Sequence, residues 1–175
     1  MRDRSTSDPG EIPAPGLVAA WVALGTVPSE RIPLWAAYWL VDGHDGESLR
    51  DLAGLGGTEH HEILDILPAA LADCATTVPC SAAAAAQVAF TDLARMLAAD
   101  RATEFWVLDK VYEIVHRSDF DASILNLPLG WIYELADEWT AGWGRPRDQL
   151  EREIQQACRA QLASASARRT SGGSC

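Results

Sequence analysis

Three side chains in the stretch 104–117 have types and spacing suited to acid–base or metal chemistry: Asp109, Glu113 and His116. On a helix advancing 100° per residue they fall within about 60° of one another. Glu113 and His116 make a Glu-x-x-His step, the half-site that di-iron carboxylate bundles use twice. Such a centre needs a second Glu-x-x-His, and no second copy exists; Glu59-His60-His61-Glu62 lacks the spacing. The opposite arc (Val107, Leu108, Val111, Ile114 and Val115) is apolar. The trio therefore reads first as a solvated helix face, with His116 favoured by the dipole near the helix C-terminus. A metal or acid–base site is the alternative. No cofactor is implied.

The stretch 119–145 is the least ordinary part of the chain. A helix opened by Pro128 and reaching about Thr140 would carry Trp131, Ile132, Leu135 and Trp139 on one arc. Gly130, Glu134, Asp137 and Glu138 would share the other. Glu134 and Glu138 are one turn apart, a like-charge pair that costs a few tenths of a kcal/mol unless a cation relieves it. Gly130 lowers helix propensity by about 1 kcal/mol relative to alanine, which points to close approach by another backbone or a ligand. Trp143 stands between Gly142 and Gly144 in a turn. Aromatic groups beside carboxylates suit an arginine-bearing partner. Trp131, Glu134, Asp137, Glu138 and Trp143 are therefore the candidate partner-binding residues.

The stretch 47–71, ESLRDLAGLGGTEHHEILDILPAAL, resembles the general helix-turn-helix pattern. Ala53 stands where the first helix packs closely, Gly57 in the turn, and Ile63 and Ile66 face inward. The outward positions of the second helix would be Glu59, His61, Glu62 and Asp65. No arginine, lysine, asparagine or glutamine stands among them to meet phosphates or base edges. A DNA-binding regulator is thus an alternative that the charge opposes.

Other chemistry is sparse. His44 is a loop residue, and His60 falls near Leu64, Leu67 and Leu71, which predicts half-burial. No serine or cysteine is marked as a nucleophile by a nearby base and orienting acid. Phosphate loops, dinucleotide fingerprints and zinc spacings are missing, so the balance is against an enzyme. Cys74, Cys80, Cys158 and Cys175 form no metal pattern and are expected as free thiols in a reducing cytosol.

The elements that would position these residues are helices. Glycines and prolines punctuate the chain at short intervals, and no segment alternates with period two. Expected helices cover 17–24, 30–42, 45 or 46 to 54, 59–74, 82–99, 104–117, 128–140 and 146–163. Ser29, Thr58, Ser81 and Thr103 are the expected N-caps. Pro68 is an expected kink or break. Residues 34–41 are apolar on every side, which predicts a buried central helix. The reading is all-α: an irregular orthogonal bundle of about seven helices in a single domain, 16–163. A disordered arm (1–15) and tail (164–175) would flank it. A short solenoid would need a constant repeat length, and none is found.

The chain of 175 residues carries a formal charge of −11. Residues 1–10 and 164–175 hold Arg2, Arg4, Arg168 and Arg169 against Asp3 and Asp8, so the body carries −13. That field repels nucleic acid and anionic lipid and attracts basic partners. The longest strictly apolar run, 34–41, is far short of the ~20 residues of a spanning helix. No secretion signal is visible, and the expectation is a cytoplasmic protein. Thirteen arginines against the single Lys110, with abundant alanine, suggest a bacterial genome rich in G and C. Together these features predict a protein-binding accessory, regulatory or neutralising factor for a basic protein partner, or else a self-associating scaffold.

Overall fold

The computed structural model describes residues 12–170, with side chains to Arg168. The fold is all-α, with no strand among the described residues. The chain divides into two compact units between Cys80 and Ser81. Most of the expected arm, 1–11, and the last part of the expected tail, 171–175, lie outside the described residues.

The first unit holds α1 (Pro15–Leu24), α2 (Ile32–Val41), α3 (Glu47–Gly54) and α4 (His60–Asp73). Gly25, in the left-handed region at φ 66°, ends α1. A 3₁₀ turn, Ser29–Arg31, leads directly into α2, and Pro33 sits in the first turn of that helix, where its missing N–H costs little. Ser29 caps nothing; its hydroxyl lies 2.8 Å from His60 Nδ1, and His60 is exposed rather than half-buried. Residues 12–15 of the expected arm are anchored. Pro13 is buried, and its carbonyl accepts a hydrogen bond from the Trp39 indole at 2.9 Å.

The core of this unit is Val18, Ile32, Trp35, Trp39, Leu49, Leu52, Ile63, Leu67 and Leu71. α2 contributes Ile32, Trp35, Ala36 and Trp39 to it and packs on α3 and α4. The expectation that α2 is buried on every side fails for one arc: Leu34, Tyr38 and Val41 are 54%, 47% and 82% exposed. Two close approaches fix α3 and α4. The Asp73 carboxylate, at the end of α4, accepts from the Leu49 N–H at 3.0 Å and so caps α3. A Cβ at Gly46 would stand 2.0 Å from that carboxyl carbon. A Cβ at Gly57 would stand 2.7 Å from the Glu30 carbonyl oxygen. Pro68 is exposed inside α4 and does not end it.

The second unit holds α5 (Ala82–Ala98), α6 (Glu104–Arg117), α7 (Ala122–Leu125), α8 (Ala136–Ala141) and α9 (Arg147–Thr170), with a 3₁₀ helix, Gly130–Leu135, before α8. Ser81 caps α5 by accepting from Ala84 N–H at 3.1 Å, and Thr103 caps α6 through Trp106 N–H at 3.3 Å. α5 packs on α6, α7 and α9, and α6 on α9 and the 3₁₀ helix. Between the expected helices 104–117 and 128–140 lies a further short helix, α7, whose cap Asp121 accepts from Ser123 N–H at 2.8 Å. α9 runs to Thr170, seven residues past the expected end of the helix at Ala163.

Candidate functional site

The expected α-helix from Pro128 is replaced by the 3₁₀ helix Gly130–Leu135 followed by α8. In a 3₁₀ helix residues three apart eclipse one another, which makes three rows here. Ile132 and Leu135 form the inward row, both fully buried. Gly130 and Tyr133 form the second. Trp131 and Glu134 form the outward row, and Asp137, three residues further on, continues it in exposed position. Trp131 therefore leaves the apolar arc assigned to it and stands 37% exposed, while Trp139 remains buried. Gly130 is needed for close backbone packing: its Cβ would lie 2.1 Å from the Ile124 carbonyl oxygen.

Glu138 has a different place. Arg145 donates to it three times: Nη2 to Oε1 at 2.5 Å, Nε to Oε2 at 3.1 Å, and the backbone N–H to Oε2 at 2.9 Å. The other arm of Arg145 reaches Glu153 at 2.6 Å. Gly142 and Gly144, at φ 67° and 89°, turn the chain between these partners. The cation that relieves the Glu134/Glu138 pair is thus the chain's own. Arg147 does the same for an aromatic ring: its guanidinium sits 4.2 Å from the Trp139 centroid, and Phe105 stacks on that ring at 5.7 Å. Of the five candidate partner-binding residues, Trp131, Glu134, Asp137 and Trp143 stand exposed, the last by 64%.

The hydrogen bonds from the Arg145 side chain, then its backbone N–H, hold the Glu138 carboxyl down at about 2. A carboxyl held down in the folded state stabilises fully above its unfolded pKa and ceases to as pH falls through the folded one. Glu138→Gln is therefore expected to lower the urea midpoint by a constant amount between pH 5 and 7. The gap to wild type should narrow below about pH 4 and close only as pH nears 2. A gap independent of pH would mean that the Glu138 charge is not the stabilising element.

Asp109, Glu113 and His116 do share a face of α6, but they do not form a ligand set. Glu113 is held by Lys110 at 3.1 Å and by Arg117 at 3.3 Å, and Asp109 lies 3.9 Å from Lys110. His116 packs its ring between Tyr112 and Phe120, at 5.7 and 5.5 Å. Among the described residues no three His, Cys, Asp or Glu side chains converge as a metal site. One ammonium and one guanidinium group thus already pair with the Glu113 carboxylate.

The aromatic column was not legible from spacing alone. It continues from Phe120 to Tyr133 at 5.7 Å. Asp119 and Phe120 are both left-handed, at φ 51° and 57°, a conformation that costs roughly 1–2 kcal/mol per non-glycine residue. The Phe120 N–H closes α6 on the Val115 carbonyl at 3.0 Å, and its ring contacts help offset that cost.

No protein-family model matches the chain, and neither a curated protein nor a solved structure does. Site geometry alone thus carries the functional argument.

α3 and α4 pack on one another as the helix-turn-helix resemblance implies; Glu59, which precedes α4, and His61, Glu62 and Asp65 on it are exposed. That outward face is acidic, with no arginine or lysine in α4. Of the cysteines, Cys74 and Cys158 are buried and Cys80 is exposed, all three as free thiols. Burial pushes the Cys158 thiol up to about 12. No helix of the described residues is long and apolar enough to cross a membrane.

Proposed function

We propose that this protein is a cytoplasmic binding factor whose second unit engages a basic protein partner, as an accessory, regulator or neutraliser. The observation that carries the reading is the outward row of the 3₁₀ helix. It sets an exposed tryptophan, Trp131, in line with two exposed carboxylates, Glu134 and Asp137. Trp143 adds a second exposed indole on the following turn. Indole faces and carboxylates together suit guanidinium groups, and the same segment already holds two of its own arginines by those means. Nucleic acid and anionic lipid are no part of this reading, since the net charge repels both.

The test is native mass spectrometry of the full chain purified gently from its host at low salt. A second polypeptide should accompany wild type and dissociate as salt screens the contact. The double variant Glu134→Lys/Asp137→Lys should lose it, while Glu62→Lys/Asp65→Lys on α4 should keep it. Retention by the first double variant, or equal loss from both, overturns the proposed surface.

A further inference from the structure

The strongest feature outside that surface lies on α2. Its ten residues, Ile32–Val41, include no charged side chain, yet one arc faces solvent. Leu34, Tyr38 and Val41 follow i, i+4, i+7 spacing and so share one face within about 60°. All three are among the large hydrophobic residues that stand exposed, and Val41 is exposed by 82%. A solvent-facing arc of a surface helix is ordinarily polar. An i, i+4, i+7 apolar stripe is instead the pattern by which one helix anchors another.

Charge decides what would cover it. Between residues 12 and 80 there are nine aspartates and glutamates against two cations, Arg31 and Arg50. From Ser81 onward the balance is closer, thirteen against ten. Glu30 precedes the stripe by one helical turn, and Asp42 and Asp45 follow it; all three are exposed. Asp45 pairs with Arg50, but Glu30 and Asp42 form no ion pair among the described residues. A second copy placed on this face would bring two strongly acidic units together. The stripe is also small: three side chains fall well short of the ~800 Å² per partner of a standard interface between folded proteins. A single amphipathic helix with a basic outer face matches both the area and the sign.

We infer that the exposed arc of α2, Leu34, Tyr38 and Val41, docks a basic amphipathic helix of a partner protein, with Glu30 and Asp42 meeting its cations. This surface belongs to the first unit and stands independently of the Trp131–Glu134–Asp137 row.

The test uses the full chain and a fluorescently labelled 18-residue peptide of leucine and lysine at helical spacing, followed by anisotropy. Leu34→Ser/Val41→Ser changes no charge and touches only exposed positions, and a melting curve confirms that it folds. It should weaken binding about tenfold or more. Leu64→Ser, an exposed leucine on α4, should change it less than twofold, and so should Glu134→Lys/Asp137→Lys. A leucine–glutamate peptide of the same pattern should not bind. The inference is overturned if the leucine–lysine peptide fails to bind, or if its binding ignores the α2 variant. Equal binding of the acidic peptide would overturn it too. So would wild type sedimenting as a dimer that Leu34→Ser/Val41→Ser converts to a monomer, because a second copy would then be the occupant.

Discussion

Gly130→Ala is expected to destabilise the second unit by about 3 kcal/mol or more, the upper part of the range for overpacking. The cause is space rather than backbone conformation. The added methyl would stand 2.1 Å from the Ile124 carbonyl oxygen and 3.0 Å from Leu125 Cα. Both obstacles are backbone atoms, so no rotamer change relieves them. Either α7 moves off α5 or the 3₁₀ helix withdraws Ile132 and Leu135 from the core. Gly142→Ala is the matched control. That glycine has φ 67° and open space around its missing Cβ, so its cost is the left-handed conformation alone, roughly 1–2 kcal/mol. Urea unfolding gives the comparison, and hydrogen exchange of amides 122–141 localises it. Equal losses from the two variants would show that the approach of α7 to Gly130 is not tight.

Short-range signals in the sequence were the ones that located elements. Ser81 and Thr103 cap α5 and α6 as expected because a cap is a contact across three residues. Gly25 ends α1 for the same local reason. Ser29 and Thr58, by contrast, cap no helix, because a 3₁₀ turn leads into α2 and α4 starts after Glu59. The helix type at 130–135 was not legible, because periods of 3.0 and 3.6 both turn Ile132 and Leu135 inward. They part company at Trp131, which 3₁₀ geometry sends to the surface. The composition of α2 shows that every side is apolar but not how many neighbours it has. Residues 164–170 read as a tail from their serines, yet alanine and arginine are good helix formers and α9 continues through them.

The candidate site was legible in part. The aromatic and acidic residues of 131–143 could be named, and a cation near Glu138 could be anticipated, but not its source. Arg145 is seven residues away, across a turn that only two left-handed glycines permit. Asp109, Glu113 and His116 were placed correctly on one face. Lys110 and Arg117, also close in sequence, take the carboxylate that a metal would use. Helical spacing shows which groups can meet, and the nearest opposite charge decides which do.

Gln161 left no signal at all in the sequence, and its loss is the second large expected effect. It is fully buried on α9. Its Oε1 accepts from the Leu129 N–H at 3.3 Å, and its Nε2 donates to Thr91 Oγ1 at 3.2 Å and to the Gln87 carbonyl at 3.4 Å. One amide thus joins α9, α5 and the turn that opens the 3₁₀ helix. Gln161→Leu keeps most of the volume but leaves the Leu129 N–H buried without a partner. An orphaned buried donor costs about 1–3 kcal/mol, and the other lost bonds bring the expected total to about 2–4 kcal/mol. Gln161→Glu separates the hydrogen bonds from the packing. Burial and the acceptors Gln87 O and Thr91 Oγ1 disfavour a carboxylate there, so its folded pKa should rise above the unfolded one. A raised folded pKa means that stability is retained below the unfolded value and lost as pH increases through the folded one. The Gln161→Glu variant should therefore approach wild type as pH falls from 7 to 5, when its protonated oxygen can donate to the carbonyl as the amide did. The Gln161→Leu deficit should not change over that interval. Urea midpoints at the two pH values decide the matter: a Gln161→Glu deficit that stays constant or grows on acidification would mean that this side chain does not need to donate.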